Sequence, residues 1–144
     1  MNANFIYLFA ATMLGHFVGD YLFQNDWMAT NKWKPGKLGH LTCTVHVLLY
    51  TLAIALFTGW HPLFLLVVAV PHWVIDRWSL AKYFLAWKNG KRMEDIWDLR
   101  PYEAVESAKL STAVWKIAFA APVYIFNDNT IHWVCLWFTV KYLL

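Results

Sequence analysis

Long apolar runs separated by short polar interruptions dominate the chain, and the length of the runs decides its class. Residues 4–24 ("NFIYLFAATMLGHFVGDYLFQ"), 39–58 ("GHLTCTVHVLLYTLAIALFT") and 62–80 each approach the length a helix needs to cross a bilayer, roughly 20 residues. A fourth run, 128–144, is apolar after its first few positions. Residues 88–109 ("KNGKRMEDIWDLRPYEAVESAK") are charged, contain Gly and Pro, and do not belong in hydrocarbon. Residues 110–126 are less apolar and carry Lys116 and Pro122. If they cross the bilayer the chain has five spans; if they lie along its surface it has four. The preferred expectation is an all-α, polytopic integral membrane protein of four transmembrane helices. It forms a single membrane domain over 1–144, with a cytoplasmic loop and a surface or interfacial helix over 88–125. Pro71 is expected to kink the third span just before His72.

Composition supports this class. Sixty per cent of the 144 residues are hydrophobic and 15% charged, against roughly 25% charged in an average globular chain. So small a soluble domain could not hide that much apolar surface. The tryptophans flanking the spans read as an interfacial belt. No basic segment or small-residue cleavage site accompanies the first run, which is therefore expected to remain as a helix. Cys43 and Cys135 both sit in apolar runs and read as buried thiols, not as a disulfide.

Charge distribution orients the spans. Lys32, Lys34 and Lys37 lie in the loop 25–38, and the stretch 77–109 is basic, whereas the N-terminus and the "GWHP" turn have no Lys or Arg. The positive-inside rule then places the N-terminus outside and both long loops in the cytoplasm, in an inner membrane. The net charge of +3 reflects this loop asymmetry, so membrane lipid is an expected partner and nucleic acid is not.

The polar residues inside the spans follow a pattern. His16 and Asp20 ("GHFVGDYLFQNDW") are four apart, on one helix face, as are His72 and Asp76 ("PHWVIDRW"). Asp128 and His132 ("NDNTIHW") repeat the spacing in reverse, and His40 and His46 ("GHLTCTVH") begin the second span. With four spans, every one of these residues falls near the cytoplasmic leaflet, a layer of histidines facing a layer of aspartates. An Asp at mid-bilayer costs about 2.5–3.5 kcal/mol on insertion scales, and binding a cation offsets that most simply. Imidazole and carboxylate suit zinc first, manganese or iron otherwise, as one or two divalent ions. The expected ligands are His16, Asp20, His46, His72, Asp76, Asp128 and His132, with His40 a further candidate. Asp20 and Asp76 are the candidate catalytic carboxylates, and Gln24, Lys32 and Arg77 the candidate substrate-binding residues. His61, in the opposite turn, reads as a surface histidine. A single such pair would read as polar packing or a proton relay; three in consistent order favour metal.

The leading functional expectation is a metal-dependent hydrolase acting on a lipid-proximal substrate at the cytoplasmic leaflet. The alternatives are a non-catalytic effector, homo-oligomeric or partner-binding, with a structural metal, and a divalent-cation or proton transporter. The string "GHFVGDYLFQNDWMATNK", the His-x5-His spacing, "PHWVIDR" and the late Asp-x-x-x-His resemble the small bacterial and phage membrane proteins grouped as domain of unknown function 3307. That resemblance implies a polytopic inner-membrane protein and supplies no activity. The His/Asp pattern is also faintly similar to inner-membrane metal-dependent hydrolases.

Overall fold

The computed structural model describes the backbone of residues 3–90 and 110–143, and the side chains of 3–90 and 122–143. Among the described residues every regular element is helical. Helix α1 (Ala3–Phe17) runs directly into a π-helical turn, Val18–Leu22. Asn25 then caps α2 (Asp26–Asn31), its side-chain oxygen accepting the backbone N–H of Met28 at 2.9 Å. Helix α3 (Lys37–Thr58) is bracketed by Gly36 and Gly59, both at φ 84°, a region that favours glycine. Helix α4 (Pro62–Trp78) starts on a proline, continues through Pro71, and stops where Ser79 adopts a left-handed φ of 48°. Helix α5 covers Leu80–Lys88 and α6 covers Leu110–Leu143.

The chain forms two compact units, Met1–Trp78 with Ile131–Leu144, and Ser79–Thr130. The second holds α5, which buries Ala81, Leu85 and Ala86, and the N-terminal part of α6.

In the first unit α3 is the central helix. Its buried positions include Gly39, Thr42, Cys43, His46, Val47, Tyr50, Ala53 and Ile54, one face of a helical period. Helices α1 and α4 both pack on α3. The approach of α1 is very close, because Gly15 and Gly19 face α3. A Cβ added at Gly15 would lie 2.7 Å from the Ile54 Cα, and one at Gly19 would lie 2.9 Å from the Tyr50 Cα. This small-x-x-x-small spacing lets two backbones meet where lipid offers no hydrophobic drive to associate. Tyr50, Ile54 and Ala55 of α3, Phe64, Leu65 and Val68 of α4, and Leu136 and Val140 of α6 form the apolar core, with Phe5, Leu8, Phe9 and Met13 of α1 packed against it.

Beside its apolar core this unit buries polar groups and exposes large apolar side chains. The buried set includes Thr12, His16, Thr42, His46, His72, Asp76, Arg77 and His132, whereas Tyr7, Leu22, Leu41, Leu48, Leu56, Leu63 and Leu66 are exposed. The threonines satisfy their hydroxyls within their own helices: Thr12 donates to the Leu8 carbonyl and Thr42 to that of Leu38, each at 2.8 Å. A periphery of large apolar side chains, with polar groups buried beside the apolar core, fits association with a membrane.

The expectation of four spans, or of five, is not met. Among the described residues two helical segments are long and apolar enough to cross a membrane, Ala3–Leu22 and Lys37–Thr58. A third exists only if α4 and α5 count as one span interrupted at Ser79, since α4 alone has 17 residues. The run 128–144 is not a separate helix. It is the end of the 34-residue α6, where Asn127, Asp128, Asn129 and Lys141 dilute the apolar stretch. Residues 110–125, expected as a surface segment, belong to that same helix, and 91–109 fall outside the described residues.

Candidate metal centre

Five elements deliver polar side chains of the first unit to one place. Helix α1 contributes His16, and the π turn contributes Asp20. Helix α3 contributes His46, with Tyr50 one turn further along the same face. Helix α4 contributes His72 and Asp76, and α6 contributes His132. The wider i→i+5 turn at Val18–Leu22 carries Asp20, in keeping with the frequent occurrence of π-bulges at functional sites. His16 and His46 are fully buried, and His72, His132 and Asp76 nearly so. The Asp20 side chain keeps 14% exposure.

Five separations among four of the donor atoms lie between 3.0 and 3.4 Å. His46 Nε2 and His72 Nε2 lie 3.1 Å apart. Asp20 Oδ1 lies 3.3 Å from the first and 3.4 Å from the second, and Asp76 Oδ2 lies 3.0 Å and 3.3 Å from them. A tetrahedral ion with ligands at about 2.0–2.1 Å has ligand–ligand edges of about 3.3 Å. The five separations fall around that edge. Two imidazole nitrogens at 3.1 Å share at most one proton, and Asp20 Oδ1 is buried without a hydrogen-bond donor. Convergence of imidazole nitrogens and carboxylate oxygens on one point is what a cation site requires. His/Asp triplets here, including His46, His72 and Asp76, offer ligand atoms within 4.8 Å of one another. The cluster is compatible with a divalent metal ion.

Nδ1 of His46 and of His72 are buried without hydrogen-bond partners, so packing orients these rings. The Tyr50 ring stacks on His72 with centroids 3.6 Å apart and planes 18° from parallel. Its hydroxyl lies 3.3 Å from His16 Nδ1. Tyr50 was not among the sequence-derived candidates, although its position four residues after His46 put it on the same helix face. The histidines and aspartates interdigitate, instead of facing each other as two layers: Asp20 reaches His16, His46 and His72, and Asp76 reaches His46, His72 and His132.

Of the other candidates, Lys32 and Gln24 lie at the cluster's edge, and Arg77 and His40 outside it. Lys32, whose side chain is 15% exposed, places its Nζ 2.7 Å from Asp76 Oδ2 and donates to Gln24 Oε1, also at 2.7 Å. Arg77 is turned instead toward the loop before α3, donating to the Trp33 carbonyl at 3.2 Å and to His40 Nδ1 at 3.3 Å. His40 is exposed and stacks on Trp73, with centroids 5.8 Å apart. Asp128 belongs to the second unit, one helical turn before His132 on α6. His61 is exposed, Cys43 is buried with its Sγ 3.7 Å from the Trp73 carbonyl, and Cys135 is half-buried.

Residues 8–140 match the family model described as "Protein of unknown function (DUF3307)". The chain belongs to that family. The match covers every clustered residue from His16 to His132, so the centre is a feature of the DUF3307 segment itself. No curated protein and no solved structure matches the chain, and the faint likeness to metal-dependent hydrolases therefore finds no relative to support it.

Proposed function

We propose that this DUF3307 protein is a divalent-metal protein of the membrane, whose ion ties the π turn, α3 and α4 together through Asp20, His46, His72 and Asp76. The observation that carries this reading is the set of five donor separations between 3.0 and 3.4 Å. Zinc fits best, because it takes imidazole and carboxylate in four-coordinate geometry, with manganese and iron next. Without an ion, two carboxylates and four imidazoles sit buried against one another, and a bound cation removes much of that cost.

Hydrolysis is a second reading, favoured by the partial exposure of Asp20 and Lys32 at one side of the cluster. Lys32, steadied by Gln24, brings an ammonium to the cluster's edge, where it would attract the anionic oxygen of a lipid-proximal ester or phosphoester. A metal bound there supplies Lewis-acid polarisation and activates water near neutral pH.

The test is thermal unfolding of the detergent-purified protein with chelator and after re-addition of zinc, alongside turnover of ester and phosphodiester lipid analogues. At free metal 100-fold above Kd, binding stabilises by about 2.7 kcal/mol, so chelation is expected to lower the midpoint and zinc to restore it. An unchanged midpoint in both conditions would overturn the metal reading. Turnover that returns with metal would support hydrolysis, and its absence from metal-loaded protein would remove that reading.

A further inference from the structure

Each of the two central carboxylates gives one oxygen to the His46/His72 pair and the other to a single further histidine. Asp20 Oδ1 faces His46 and His72, while Asp20 Oδ2 lies 3.4 Å from His16 Nδ1. Asp76 Oδ2 faces His46 and His72, while Asp76 Oδ1 lies 3.4 Å from His132 Nε2. His16 and His132 are themselves neighbours, with ring centroids 5.6 Å apart. Beside the His46/His72 pair, therefore, a second pair of neighbouring imidazoles adjoins the remaining carboxylate oxygens, His16 that of Asp20 and His132 that of Asp76.

From this we infer that the centre is dinuclear, with Asp20 and Asp76 bridging two divalent ions, one on the His46/His72 side and one on the His16/His132 side. The inference rests on the metal reading above and extends it to a second position. Carboxylates that offer one oxygen to each ion hold the ions at the short separation of two-metal hydrolytic sites, about 3.5–4 Å. A single ion at His46 and His72 would leave His16 and His132 as two further buried imidazoles beside the outer carboxylate oxygens, with no task in binding it. The Tyr50 hydroxyl, 3.3 Å from His16 Nδ1, borders the same side of the cluster.

Charge sets the order of filling and the chemistry of the next ligand. Two divalent ions bring four positive charges against two carboxylates, with the Lys32 ammonium 2.7 Å from Asp76. The second ion therefore binds more weakly than the first and brings an anionic oxygen ligand with it, hydroxide or phosphate. Two ions and a lysine around one anion are suited to a phosphoryl group, which narrows the substrate class expected of a hydrolytic centre here.

The experiment is manganese titration of the full-length, detergent-purified protein, followed by equilibrium dialysis and electron paramagnetic resonance. Wild type is expected to take up two equivalents in two unequal steps, the second producing an exchange-coupled signal. H16Q and H132Q are each expected to lose one of the two equivalents and to show the uncoupled signal of a lone ion. One equivalent with an uncoupled signal in wild type would overturn the second position and leave the mononuclear reading standing. Two equivalents without exchange coupling would overturn the bridging carboxylates. No uptake at all would overturn both readings. The wild-type spectrum decides the matter even where a variant fails to fold.

Discussion

Replacing Asp76 by alanine is expected to abolish metal binding and to destabilise the protein by about 3–5 kcal/mol, the cost of breaking a buried ion pair from one side. Asp76 is the most connected residue of the cluster, within 3.4 Å of His46, His72 and His132 and 2.7 Å from Lys32 Nζ. Its removal leaves the Lys32 ammonium against buried imidazoles with no carboxylate to balance it. Removing both partners is expected to be milder than removing one, so D76A/K32M should recover part of the stability lost in D76A while still binding no metal. Thermal unfolding in detergent, paired with metal content, separates the two effects. Wild-type stability in D76A would mean that the Lys32–Asp76 contact is not a working ion pair.

The second large effect is steric and lies away from the donor atoms. A Gly15→Val substitution is expected to separate α1 from α3, cost at least the 1–3 kcal/mol typical of overpacking, and abolish metal binding although no ligand has changed. A Cβ at this position would already lie 2.7 Å from the Ile54 Cα, a backbone atom that cannot swing aside. Since His16 follows Gly15 and Asp20 follows Gly19, any withdrawal of this segment from α3 moves His16 away from Tyr50 and Asp20 away from His46. Metal content and unfolding midpoint again provide the readout, with Leu14→Val on the exposed side of α1 as a control expected to leave both unchanged. Near-normal metal binding in G15V would show that the close approach is not what positions His16.

Much of the centre was legible in the sequence because helical periodicity projects i, i+4 pairs onto one face whatever the topology. His16 with Asp20, and His72 with Asp76, needed only that rule, and the structure brings both pairs to one cluster with His46 and His132. The interleaving of His and Asp was not legible, since it depends on a π turn at Val18–Leu22 that no periodicity announces. The Gly15–Gly19 contact carried a signal, a small-x-x-x-small spacing in an apolar run, that a reading focused on polar residues passes over. The span count failed for a different reason. Hydropathy by eye treats 62–80 and 128–144 as equivalent to the first two runs. In the structure, however, Ser79 ends α4 after 17 residues, and Asn127, Asp128 and Asn129 lie inside a longer helix. Arg77 turns to the Trp33 carbonyl and to His40, and His40 stacks on Trp73, partners that no spacing in the sequence announces.

Elemental analysis of the protein purified in detergent without chelator, beside H46A and H72A, most directly tests whether this cluster is a metal centre. The expected result is one or two equivalents of zinc, manganese or iron per chain in wild type, lost in both variants while helical content is retained. A folded wild-type protein that carries no metal, and takes up none when zinc, manganese and iron are supplied, would contradict it and leave these histidines and aspartates as a buried polar network.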